Sequence, residues 1–347
     1  MRRHGDRIYS VNQLWSGDNR PVFRIWRRHR GLLAKFLARR LLLSLLALWA
    51  ITALIFAGTE ILPGDVASAV LGQSATEELK AALRAQMGLD RPMLTRYFDW
   101  LGRILSGDLG VSLANGFPVD GLVAPRVLNT LYLAIVTAVI AVPLAIALGL
   151  LSAAFPDSLF DRVVNAVTLF MVSIPDFLIA IILIIIFSVE MRWFPMMLKR
   201  VDFSDFGGAM HALALPVATL MLTMLSHMIR MTRATILDVL RSPYVEMALL
   251  KGASKSRIIL RHAAPNALAP IVNVIALNLG YLISGVVVIE VVFTYPGLGR
   301  LMVDAIGMRD LPLVQITGLI FCVTYIVLNI MADMIAIMSN PRIRYTS

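Results

Sequence analysis

Six stretches of this chain are long and apolar enough to cross a lipid bilayer, and nothing else in the sequence constrains the fold so tightly. They are Leu41–Thr59, Val127–Phe155, Val163–Val189, Ala212–Ile229, Ala267–Ile289 and Leu311–Ala332. A spanning helix takes about 20 mostly apolar residues. Inside the hydrocarbon the backbone must satisfy its own hydrogen bonds, so runs of this length are helices rather than strands. Asp176, in the third, is the one charged residue among them. The fourth is the shortest and carries Pro216 and His227. The expected fold is an all-α integral membrane protein with six transmembrane helices.

Composition supports this. Of 347 residues 58% are hydrophobic and 16% charged, whereas soluble domains carry roughly 25% charged residues. The first run has 19 residues without a charge and follows forty mostly polar residues. A signal-peptide core is shorter, about 7–15 residues, so this run reads as a retained anchor. The single cysteine, Cys322, excludes an intrachain disulfide and a thiolate metal cluster.

The net charge of +10 raises the question of nucleic acid, but its distribution answers it. Eleven of the 32 Lys and Arg lie in residues 1–40, flanking the first apolar run. No nucleic-acid motif or basic–aromatic interleaving accompanies them, so no nucleic-acid partner is expected. The tail reads as a basic segment lying on anionic membrane lipid. Segments 1–40, 156–162, 230–266 and 333–347 hold 21 Lys and Arg, against 11 in 60–126, 190–211 and 290–310. Basic residues stay inside, so both termini are expected in the cytoplasm. The domain plan is a tail at 1–40, a six-helix membrane unit at 41–336 and a tail at 337–347. Within the outer segment 60–126, Ser74–Met87 and Tyr97–Leu105 read as amphipathic helices on the outer face, the first closed by Gly88.

The inner segment 236–266 is a charged island between two apolar spans. Tyr244 to Lys251 contains no Gly or Pro, and Pro243 stands at its start, where a missing N–H costs nothing. Tyr244, Ala248 and Lys251 share one helical stripe. Gly252 is placed to end the helix in a left-handed conformation. Ser254 then caps a second helix, Lys255 to Ala264, which stops before Pro265 and Asn266 and carries Arg257 and Arg261 one turn apart. A helix–Gly–helix with small residues and exposed cations suits an acidic cleft on a partner.

The pattern Glu246-x-Ala248-x-x-x-Gly252, followed by Arg257-Ile-Ile-Leu-Arg261-His and Pro265-Asn266, resembles the signature loop of permease subunits in binding-protein-dependent ABC importers. More narrowly, the chain is similar to the first permease type of the dipeptide/oligopeptide (and nickel) branch. Leu62-Pro-Gly-Asp65, Gly88-Leu-Asp-Arg-Pro92, Gly107-Asp-Leu-Gly-Val-Ser112 and the stretch from Glu290 to Ala305 carry the same resemblance, which covers about residues 36–345. Met247 and Leu249 depart from it, standing where alanine and a basic residue are usual. The resemblance implies a MetI-like permease in the bacterial inner membrane. Its partners would be a second homologous permease, two ABC ATPase subunits, one of which would hold the loop in a cleft, and a periplasmic or extracellular solute-binding protein. It implies peptide cargo, with nickel or another small solute as the alternative. ATP and Mg would sit on the ATPases, with no cofactor on this chain.

Other residues stand outside the loop. Asp176 follows Pro175 in mid-span, where a charge is costly; it reads as pore-facing or proton-carrying, or equally as a structural, water-lined acid at a kink. Glu290 and Asp333 lie at span ends, where interfacial solvation makes an acid inexpensive. Tyr295-Pro296-Gly297-Leu-Gly299-Arg300 lacks the Gly-Lys-Ser/Thr ending of a phosphate loop and reads as a turn. The resemblance makes it an outer loop whose short helix dips near the pore mouth, so Glu290, Pro296, Gly297 and Gly299 are gate candidates beside Asp176. His211 and His227, sixteen apart, make no metal pattern, and no catalytic set is placed by any motif. The rival of a different class is an ion-coupled secondary transporter, which would favour interrupted helices and midplane charges.

Overall fold

The computed structural model of the chain describes residues 20–61, 76–86, 88, 90–198, 205–252, 254 and 264–339. Its helices are α1 (Arg20–Ile61), α2 (Glu77–Gln86), α3 (Met93–Leu105), α4 (Val119–Ala154), α5 (Leu159–Val172), α6 (Asp176–Leu183), α7 (Phe206–Leu240), α8 (Pro243–Leu250), α9 (Ala264–Val292), α10 (Leu298–Met308) and α11 (Leu311–Ser339). A π-helical turn, Ile184–Glu190, continues α6. Among the described residues five helices are long and apolar enough to cross a membrane: α1 from Ala38, α4, α7, α9 and α11. α1 already begins at Arg20, so part of the basic segment continues the first span as helix.

The third expected span is not one rod. α5 and α6 meet at an angle of 102° across Ser173–Pro175. Pro175 has no N–H to continue the helix and pushes the residue before it towards extended geometry. Its own backbone is extended, at φ −60 and ψ 141. The two pieces still connect the two ends of the bundle. Asp161, in the first turn of α5, binds Arg233 near the inner end of α7. Beyond the π-helical turn, the Leu198 N–H donates to the Phe293 carbonyl at 3.0 Å, past the outer end of α9. Read together as one broken crossing, α5 and α6 bring the candidate spans among the described residues to six.

α7 forms the centre. The span that is shortest by sequence is a 35-residue helix with Pro216 inside it. Of its membrane window 61% is buried, against 11% for the first span. It packs against α4, α9, α5 and α6, burying Leu213, Leu220, Met224 and Met228 with Leu133, Ala141 and Ala145 of α4 and Val286 and Ile289 of α9. The α4–α7 approach is close because Gly149 faces Thr232. A Cβ on Gly149 would lie 2.8 Å from the Thr232 Cβ and 3.0 Å from the Ile229 carbonyl oxygen. Lipid gives helices no hydrophobic reason to associate, so small residues that permit such contact carry the packing.

On the outer side α3 lies against α1. Phe56 meets Tyr97 and Trp100 with ring centroids 5.6 and 5.7 Å apart. Arg96 donates to both carboxylate oxygens of Glu60, at 2.7 and 2.5 Å. Thr52 and the Tyr97 hydroxyl are 2.9 Å apart. α3 begins at Met93, directly after Pro92, one turn earlier than its amphipathic pattern suggests. Gly88 follows α2 with φ +65, the left-handed geometry expected of its closing residue. At the inner side Arg40 and Asp333, 2.6 Å apart, join α1 to α11.

Candidate functional site

The inner segment emerges directly from α7. α7 ends at Leu240, and after a turn at Arg241 and Ser242 the chain re-enters helix at Pro243. Tyr244, Glu246 and Ala248 therefore lie on α8, which ends at Leu250, just before Lys251. Gly252 has φ +79, and a Cβ there would meet nothing within 4 Å among the described residues. The backbone conformation alone is reason for a glycine here. Met247, Leu250, Lys251 and Ser254 are exposed, a greasy and cationic face turned away from the bundle. Arg257 and Arg261 lie outside the described residues, as does most of the second expected helix. Ala264 and Pro265 belong instead to the first turn of α9, with Asn266 exposed beside them. Proline fits there because the first helical N–H groups have no intrahelical acceptor.

An ion pair whose acid is buried supports this segment from above. Arg233, two turns before the end of α7, donates from Nε and a terminal nitrogen to the two carboxylate oxygens of Asp161, each at 2.7 Å. Ser152, near the end of α4, also donates to Asp161, as do the Asp157 N–H at 3.0 Å and Asn165 Nδ2 at 2.8 Å. Asp161 is buried. The cluster ties the α4–α5 turn to the helix that carries the inner segment. Sequence reasoning missed it. The available signal was local: Ser158 caps α5, accepting the Asp161 N–H at 3.1 Å, and an acid three residues after a serine marks a helix start without naming Arg233 as its distant partner.

In mid-bundle, the break in the third span leaves Asp176 at the N-terminus of α6, where the helix dipole favours negative charge. Thr223 Oγ1 of α7 donates to Asp176 Oδ1 at 3.3 Å. Asp176 lines a cavity of about 320 Å³ with Thr223, His227, Asn278, Tyr281 and Ser284. The His227 and Tyr281 rings stack with centroids 6.3 Å apart. His211 lies apart, its ring bound to the Trp193 carbonyl at 2.8 Å.

The outer loop overturns the expectation for Glu290. This acid is not solvated at an interface but fully buried. Its carboxylate accepts from Thr130 Oγ1 of α4 at 2.5 Å, from the Gly299 N–H at 2.7 Å and from the Arg300 N–H at 3.2 Å. The last two are free N-terminal donors of α10, so Glu290 caps a helix other than its own. Asn129 Nδ2 donates to the Pro296 carbonyl at 2.7 Å, and the Tyr295 hydroxyl donates to the Asn129 carbonyl at 2.8 Å. Burial and the nearby Glu290 carboxylate hold the Tyr295 phenol above its ordinary range. The two glycines have a physical cause. A Cβ on Gly297 would overlap the Glu290 carboxylate, and one on Gly299 would lie 2.7 Å from the Val287 Cα.

A second outer clasp was not anticipated. Asp310 is buried and accepts from the Ser112 hydroxyl and from the N–H groups of Leu113 at 3.1 Å and Ala114 at 3.4 Å. It holds the loop after Gly107 and Gly110 against the start of α11. An aspartate before Leu311-Pro312 is a helix-start signal; its loop partner 198 positions away is not visible from spacing.

Residues 145–345 match the family described as binding-protein-dependent transport system inner membrane component, and residues 33–133 match its N-terminal counterpart. Relatives include the glutathione transport system permease protein GsiC of Salmonella choleraesuis (strain SC-B67) and of Escherichia coli (strain K12). Each is 34% identical over 310 residues, covering 89% of this chain and 99% of the relative. Among solved structures, an inward-facing MetNI methionine ABC transporter chain is similar in fold, with a TM-score of 0.50 at 18% identity. The match covers 63% of this chain and 96% of that one.

Proposed function

The chain belongs to the family of binding-protein-dependent transport system inner membrane components, and from that premise we propose that it forms half of a pore carrying short peptides inward. It is a permease subunit of an ABC importer in the bacterial inner membrane, a transport component and not an enzyme. The peptide assignment rests chiefly on the relatives named for glutathione, itself a tripeptide, which this chain matches over nearly their whole length.

In this reading a second, related permease completes the pore, and a solute-binding protein delivers cargo to the outer loops. Two ATPases holding ATP and Mg sit below the pore, and one of them grips residues 244–266. Tyr244, Glu246, Ala248, Lys251, Gly252 and Ser254 form the first half of the handle, and Arg257, Arg261, Pro265 and Asn266 the second. ATP supplies differential free energy between inward- and outward-open states, and the handle transmits it to the pore. α8 follows α7 after a two-residue turn, and α7 packs against four other helices. A displacement of the handle therefore moves the helix on which the bundle is built. Outside, the Glu290-capped α10 with Pro296, Gly297 and Gly299 acts as the gate element.

The test is uptake into proteoliposomes holding the full complex and its binding protein. Labelled Ala-Ala or glutathione should accumulate only with ATP inside the ATPase compartment, and Gly252→Asp or Glu246→Lys should abolish uptake without loss of insertion. The helix interrupted at Pro175 with an acid at the break is the one feature a secondary transporter would share. Uptake that persists without ATP while an ion gradient is intact would establish that rival. Uptake of nickel and of neither peptide would replace the cargo.

A further inference from the structure

Asp176 is a charge without a matching one. Among the described residues its recorded hydrogen bond is the long one from Thr223, 3.3 Å at Oδ1, and no ion pair to it is recorded. Its other oxygen, Oδ2, faces Gly285 of α9, where a Cβ would lie 3.7 Å away. The contrast within the same molecule is sharp. Asp161 has five donors including an arginine, and Glu290 has three. An acid at membrane depth is costly unless something compensates it. Here the helix dipole of α6 does part of that and leaves one carboxylate oxygen turned to open space.

The space is lined mainly by apolar side chains, Leu220, Met224, Leu282 and Val288 among them, with its polar groups clustered around Asp176. It holds about 320 Å³ and is bounded by Asp176 and Thr223 on one side and by Asn278, Tyr281 and Ser284 on the other. Tyr281 and Ser284 are exposed, so the cavity opens away from the helix core. The stacked His227 and Tyr281 rings offer an aromatic wall beside the carboxylate. A carboxylate, hydroxyl and amide oxygens, and an aromatic face are together what a primary ammonium group seeks. Among the described residues, no Lys or Arg lines it.

We infer that this cavity is a transit subsite for a primary ammonium group, with Asp176 Oδ2 as its counter-ion, and that the group is the free amino end of the cargo. The second clause rests on the peptide reading; the first does not. A site with one charge and few donors holds a passing group weakly, which suits a pore that must release what it binds. Thr223 and Asn278 are positioning residues here, and Gly285 keeps the approach to Oδ2 open.

The experiment uses the full complex in proteoliposomes with Cys322→Ala and Ser284→Cys, leaving this permease one thiol, at the cavity mouth. Modification by a cationic methanethiosulfonate should outpace that by an anionic one about tenfold after correction for intrinsic reactivity, the size expected of one focused charge. Asp176→Asn, which keeps the side-chain shape, should erase that preference. Ethylammonium and Ala-Ala should both slow the cationic reaction, and N-acetyl-Ala-Ala should not. Equal rates, a preference that survives Asp176→Asn, or no protection by either amine overturns the subsite. Protection by ethylammonium without protection by Ala-Ala leaves the subsite standing and overturns the peptide reading alone.

Discussion

Glu290 accepts the N–H of Gly299 at 2.7 Å, so the outer end of one spanning helix closes the N-terminus of the next helix in the chain. The same carboxylate holds Thr130 of α4, and the Thr130 hydroxyl in turn accepts the Leu298 N–H at 2.8 Å. Three elements thus share one buried acid, and α10 cannot shift without changing its hydrogen bonds.

Glu290→Ala should be the most damaging change in this loop. It orphans two backbone donors and the Thr130 hydroxyl, at about 1–3 kcal/mol for each buried group left unpaired. The apparent melting temperature in detergent should fall by several degrees and uptake should drop. Glu290→Gln retains an acceptor oxygen and should lose less. An unchanged melt for Glu290→Ala would contradict the buried cap.

Removing Arg233 should cost more than removing its pair with Asp161. Arg233→Met leaves the Asp161 carboxylate buried without its cation, a loss of about 3–5 kcal/mol in the general case. Adding Asp161→Asn to that variant should restore part of the loss. A double-mutant cycle read by denaturation in mixed micelles measures it; strictly additive effects would show that the two side chains do not depend on each other.

At Gly252 the backbone rather than the space should set the order of tolerance. A Cβ at this position would have nothing within 4 Å among the described residues, yet φ is +79. Left-handed geometry costs a residue with a Cβ about 1–2 kcal/mol, less for asparagine. ATP-driven uptake should therefore decrease from Gly through Asn and Ala to Val. Equal activity for Asn and Val would mean that the left-handed turn is not needed for coupling.

Gly149→Leu should separate α4 from α7. Its side chain would collide with Thr232 and the Ile229 carbonyl, both in the central helix. The yield of folded, monodisperse protein should fall several-fold, whereas Gly121→Leu, at an outer position with nothing within 4 Å, should leave it intact. Similar yields for the two would remove the close α4–α7 approach.

The sequence made the spans legible because each is a local property: about twenty mostly apolar residues, charged in the third at Asp176 alone, need no partner to be recognised. The same holds for Gly252 and Gly88, whose left-handed turns follow from where a helix pattern stops. Glu290 was misread because its position at the end of an apolar run says interface, while its burial depends on Thr130 and on the N-terminus of α10 folding over it. Asp161 with Arg233 and Asp310 with Ser112 were invisible for the same reason, since they join positions 72 and 198 apart. Pro175 announced a bend, but not that the bend would reach 102°. In the inner segment the first helix and its glycine stand as expected, and Pro265 starts a helix where the pattern suggested only a stop.

The broken third crossing also bears on how the chain is made. α5 has 14 residues, about 21 Å of helix at 1.5 Å per residue, too short for a hydrocarbon layer of about 30 Å. α6 turns away from it and begins with an acid. The partners that shelter the break, Thr223 on α7 and Gly285 on α9, are synthesised later. While the ribosome is still working, this segment has no finished place in the lipid. The acid at the break therefore meets its neighbours on α7 and α9 only after those downstream helices have been made.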